Sequence, residues 1–170
     1  MTKIVPLAAG LAAALIAGAA LAQAPAAPPV PAARGPGLAL SMETAQAAIA
    51  ACKAKGFNVG VSVIDSGGVI RALLAGDEAR PRAVSSSTEK ATMALKTGQV
   101  TSVAWARTQK EPAYAAEVAA DKTLNARPGG VPLRVGNTLV GAIGVGGAMP
   151  SEVDEECGQV GAAKIAGRLK

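Results

Sequence analysis

The side chains with chemistry to offer fall in two stretches. Ser87-Thr88-Glu89-Lys90 sets a serine three residues before a lysine, so that both share one helical face. An S-x-x-K pair of this kind can make a lysine-activated serine nucleophile. The other motifs of that enzyme class are missing, so Ser85–Ser87 are read as helix caps and Lys90 as a solvated or anion-pairing cation. The second stretch, Gly141-x-x-Gly144-x-Gly146-Gly147, lies between a strand pattern and a helix start and has the outline of a phosphate loop. No Lys-Ser or Lys-Thr follows it. Glu152, Asp154, Glu155 and Glu156 already occupy the positive end of the next helix and would repel a phosphate. The glycines are therefore read as close-approach positions, and the acids as a solvated, dipole-matched helix start. Calcium binding by the acids is set aside because consecutive helical positions point in different directions.

Composition removes whole classes of chemistry. The chain has no histidine, which excludes a Ser-His-Asp triad, a Cys-His pair and every histidine metal site. The formal charge of +5 is scattered, with no basic run and almost no aromatics, so nothing supports nucleic-acid binding. Met93, Trp105, Tyr114 and Met149 are the large soft or aromatic groups that could meet a porphyrin, and each is read first as core.

The N-terminus reads as an address. Lys3, the apolar run Ile4–Leu21 and Ala20-Leu21-Ala22 before Gln23 form a signal peptide over residues 1–22, cleaved near Ala22-Gln23. A periplasmic or secreted location follows. Residues 23–37 hold five prolines and read as an extended Pro/Ala-rich linker, leaving residues 38–170 as one domain. In an oxidising compartment Cys52 and Cys157 are either one disulfide or two buried thiols, and the spacing leaves both open.

The elements that must position these groups follow from periodicity. A helix is expected over residues 41–55, capped by Ser41 and stopped by Gly56. Asn58–Ile64 and Val69–Ala75 form a hairpin around Asp65-Ser66-Gly67-Gly68, and Pro81 closes off the strand. Residues 85–97 form a second helix, 99–111 a short helix or turn, and Ala113–Leu124 another helix with Pro112 in its first turn. Val131–Val135 and Thr138–Val145 form a second hairpin across Gly136-Asn137. The last helix starts at Ser151, with Asp154 completing a capping-box-like pair, and runs on to Leu169. Strands that come as hairpins rather than as crossover units indicate an α+β fold.

Three separated pieces carry a resemblance. They are Val61–Gly68; Asp77 followed by Glu89-Lys90-Ala91-Thr92-Met93-Ala94; and Gly129-Gly130-Val-Pro-Leu with Gly141–Ala148, Asp154-Glu155 and Cys157. Together they span nearly all of 41–170 and resemble the GlcG/HbpS-like haem-binding family, also found as the C-terminal part of PduO-type corrinoid adenosyltransferases. The resemblance implies a profilin-like antiparallel sheet of four to five strands flanked by helices, a homo-oligomer, and haem or another tetrapyrrole as ligand. It also implies an exported accessory to a membrane sensor or transporter. If the first and last helices lie side by side, as that fold suggests, Cys52 and Cys157 meet. The leading expectation is a non-catalytic binding protein, with Met93 or Tyr114 as the iron contact and Lys90, Arg80 or Arg82 pairing with propionates. The alternatives are a small enzyme on an organic acid, with Lys90 as base or electrostatic stabiliser near Gly129-Gly130, and a structural oligomerisation module.

Overall fold

The computed structural model describes Met1 and residues 34–170. The expected signal peptide, its cleavage site and most of the Pro/Ala-rich stretch lie outside the described residues. The last residues of that stretch are fastened to the domain rather than extended away from it. Arg34 donates its N–H to Ser66 Oγ at 2.7 Å, and Ser66 N–H returns to Arg34 O at 2.8 Å.

Ten short segments build the domain in the order α1 Leu38–Ala54, β1 Gly60–Asp65, β2 Ile70–Ala75, α2 Pro81–Thr97, α3 Thr101–Thr108, α4 Pro112–Ala120, β3 Gly130–Val135, β4 Thr138–Gly146, α5 Glu152–Ile165 and a 3₁₀ turn Ala166–Arg168. The strands form one antiparallel sheet in the order β2-β1-β4-β3, the expected α+β, profilin-like architecture. Both expected hairpins are present, the second across Gly136-Asn137 with Gly136 at φ +55°.

The two sheet faces are packed differently. Val61, Val63, Ile143 and Val145 meet Ala45, Ala48 and Cys52 of α1 and Cys157 of α5 in the main core. Cys52 and Cys157 are joined in a disulfide that ties α1 to α5. The opposite face carries Gly60, Gly130, Gly144 and Gly146, and α2 lies directly on it. A Cβ on Gly144 would stand 1.9 Å from Ser87 O, and one on Gly130 would stand 2.3 Å from Lys90 O. These glycines let a helix backbone approach a sheet backbone; they form no phosphate loop.

Several boundaries differ from expectation for local reasons. α1 begins at Leu38, so Ser41 lies inside it and its Oγ donates back to Pro36 O and Gly37 O instead of capping. α2 begins at Pro81, because a proline that stops a strand also suits the first turn of a helix. Ser85–Ser87 therefore lie within the helix, where Ser87 Oγ donates to Val84 O at 2.7 Å. α4 ends at Ala120, where the Asp121 carboxylate accepts both the N–H (3.0 Å) and hydroxyl (2.6 Å) of Thr123.

Candidate functional site

A cavity of about 1340 Å³ opens between α2, the α3–α4 pair and the Gly147–Ser151 segment. Trp105, Ala115, Val118 and Leu124 supply apolar wall, and Arg80, Arg82, Lys122 and Arg127 supply positive charge. Arg127 lies over the Trp105 ring at 5.4 Å from its centroid, which presents an aromatic face and a guanidinium side by side. Arg82 is held by Glu89, with Nη2 donating to Oε2 at 2.8 Å.

Lys90 and Asp154 also line this cavity. Lys90 is only 2% exposed and Asp154 1%, and Lys90 Nζ donates to Asp154 Oδ2 at 2.7 Å. The other oxygen of Asp154 accepts Ala148 N–H at 2.9 Å. Burial pulls the Lys90 pKa below its ordinary value; the attraction of Asp154 opposes this, and the charges of Arg127 and Arg82 add to it. The head of Lys90 has room because residue 129 is glycine. A Cβ there, at a backbone φ of +137°, would stand 2.9 Å from Nζ and 2.5 Å from Val145 O.

Glu155 is buried beside this pair and acts as a knot between elements. Its carboxylate accepts Ser102 N–H at 2.9 Å, Ser102 Oγ–H at 2.7 Å and Gly129 N–H at 3.4 Å. Thr101 Oγ1 accepts Gly130 N–H at 2.8 Å. The acidic start of α5 is therefore no solvated helix end. Glu152 and Glu156 face water, while Asp154 and Glu155 turn inward to hold Lys90 and the Gly129-Gly130 corner.

The expected site residues separate into three groups. Arg80, Arg82 and Lys90 share the cavity wall. Gly129 and Gly130 seat Lys90 and α2 from behind. Met93 and Tyr114 do not line the cavity. Met93 is 1% exposed, packed with Ala104, Leu124 and Ala126, and Tyr114 packs on that cluster with the Arg107 guanidinium 3.9 Å from its ring centroid. The methionine on the cavity wall is Met149, 72% exposed at the rim. Of the other wall residues, Trp105 and Met149 are among the soft and aromatic groups the sequence offers a porphyrin, although each is read first as core, whereas Asp154 and Arg127 are not expected in the site. Asp154 gives no local signal, because its partner is 64 residues away. Arg127 does give one, since it stands in the loop that delivers the chain to Gly129-Gly130.

Fold and cavity together define a small α+β domain with a large cavity lined by apolar and charged side chains. A family model described as haem degrading protein HbpS-like matches residues 38–163, and the chain belongs to that family. Among solved structures, a double mutant of HbpS from Streptomyces reticuli is 30% identical at a TM-score of 0.70, over 93% of this chain and 97% of that one. A further HbpS crystal structure is 29% identical, with a TM-score of 0.70, over 76% of this chain and 89% of that one. The PduOC–haem complex shares the fold at a TM-score of 0.70 and 19% identity, over 80% of this chain and 97% of that one. No curated protein matches the chain.

Proposed function

We propose that the chain is an exported, non-catalytic binding protein that takes haem or another tetrapyrrole in the cavity beside Lys90. The observation that carries this reading is the cavity wall itself. It offers a planar ligand the Trp105 face and apolar side chains, and offers its carboxylates the cations Arg80, Arg127 and Lys122. Its volume exceeds the roughly 300–1,000 Å³ of ordinary small-molecule sites. Family membership supports the same ligand class, and among the solved relatives PduOC was captured with haem.

The residues present fit such a group without an imidazole. The chain has no histidine, and Met149 is the one methionine, tyrosine or cysteine on the described wall. Its thioether is the side chain we assign to contact iron, in place of Met93 or Tyr114. Bound haem would supply redox chemistry at its iron; the chain's part is to stack, pair with propionates and limit water. Self-association and a membrane sensor or transporter as partner belong to the same proposal. The edge strand β2 supports self-association, since it and the turn before it expose Val69, Ile70 and Leu73.

Absorbance titration of the mature protein with haem tests the reading. A shifted Soret band that saturates at a fixed stoichiometry, and changes position in Met149→Ala, is expected. An unshifted band with no saturation overturns it.

A further inference from the structure

Lys90 is more than a cation for propionates. Its ammonium has three donors, and the only protein acceptor it meets among the described residues is Asp154. The remaining two N–H groups belong to a side chain that lines a cavity yet is almost wholly out of water. A desolvated lysine near further cations is the arrangement that activates an amine as a nucleophile toward carbonyl carbon, and the Asp154 carboxylate stands in hydrogen-bond contact to accept the proton the amine must lose. The burial that lowers the Lys90 pKa acts in the same direction. Arg127 on the same wall, its charge reaching Lys90, supplies a partner for a carboxylate on the incoming molecule.

We propose that Lys90 forms an imine with a small 2-oxo carboxylic acid in this cavity, with Asp154 moving the protons. In the first step Lys90 Nζ gives a proton to Asp154 Oδ2, and the freed electron pair attacks the ketone carbon. The carbon–oxygen π pair moves to oxygen, which takes the proton from Asp154 to give a carbinolamine. Nitrogen then yields a second proton to Asp154, which passes it to the hydroxyl. Water leaves as the carbon–nitrogen double bond forms. An ammonium and a ketone become a protonated imine and one water, no oxidant or reductant is consumed, and the cation stays paired with Asp154.

This inference shares the cavity with the tetrapyrrole reading but not its ligand, so adduct mapping and haem titration fail independently. The test is reductive trapping: the protein is incubated with pyruvate and sodium cyanoborohydride, digested, and its lysines mapped by mass spectrometry. The exposed lysines Lys53, Lys55 and Lys96 are internal controls in the same folded molecule. The expected result is a carboxyethyl adduct on Lys90 exceeding that on any exposed lysine by about tenfold or more. The paired substitution Lys90→Met with Asp154→Leu should leave only the exposed-lysine background. Labelling spread evenly over exposed lysines, or absent from Lys90 in the wild-type protein, overturns the proposal.

Discussion

Replacing Asp154 by alanine isolates the energetics of the buried pair. In the folded protein Lys90 is 2% exposed and has no second protein acceptor among the described residues, and Ala148 N–H also depends on Asp154. The variant leaves a buried ammonium unpaired and an amide orphaned. Breaking a buried pair by removing one partner costs about 3–5 kcal/mol. Against a total stability of about 5–15 kcal/mol for a domain of this kind, that is a large share. Substituting both partners, Lys90→Met with Asp154→Leu, removes both charges together and should return most of the loss, because the desolvation cost disappears with the attraction. Asp77→Ala is the control. Its ion pair with Lys53 is 88% exposed on the aspartate side, and its loss should cost well under about 1 kcal/mol. Urea titration followed by circular dichroism reads all three, with a constant slope showing that the midpoint shift reflects stability. A single-variant cost close to that of the control, or a double variant no more stable than Asp154→Ala, would refute the account of this pair.

Other consequences are as direct. Burial alone would raise the Asp65 pKa, but the N–H groups of Val69 and Gly67 and the Arg71 side chain outweigh it, so the carboxyl titrates below its ordinary value of 3.8. A lowered folded-state pKa means stability that is full above 3.8 and is lost as pH falls through the folded value, so Asp65→Asn should flatten the acid limb of the stability curve. The Cys52–Cys157 bridge closes a loop with a sequence separation of 105, and paired Cys→Ser substitution should cost about 2–5 kcal/mol by thermal or urea unfolding. Gly144→Ala should cost more than Gly136→Ala. The first drives a Cβ to within 1.9 Å of Ser87 O and 2.5 Å of Ala91 N in the α2 backbone, whereas the second meets open space and adds only backbone strain of about 1 kcal/mol. Equal midpoints for the two glycine variants would contradict the packing described for α2.

The sheet was legible because its strands alternate and its turns carry glycine. Val61 and Val63 mark one face of β1, and Gly136-Asn137 fixes the second hairpin. Helix starts were less legible, because Pro81 and Ser41 each suit two roles and tertiary packing chose between them. The site was legible only in part. Arg80, Arg82 and Lys90 could be named from their chemistry, but the acids at 154 and 155 were indistinguishable from ordinary helix-start carboxylates. Their inward turn depends on Lys90 and on Ser102, 64 and 53 residues away, and no local pattern encodes such a pairing. Met93 shows the converse. Its thioether suits iron, yet its position on α2 faces the α3 side of the core, where Ala104, Leu124 and Ala126 enclose it.

Trp105 is the chain's single tryptophan and stands on the cavity wall, so its emission reports from the site itself. Whether haem enters the cavity beside Lys90 is read most directly from Trp105 fluorescence during haem titration of the protein, recorded together with Soret absorbance. With haem in the cavity, quenching and the Soret shift saturate together, and Arg127→Ala weakens both in parallel. A Soret shift that saturates while Trp105 emission stays unchanged would place haem elsewhere on the protein, outside this cavity.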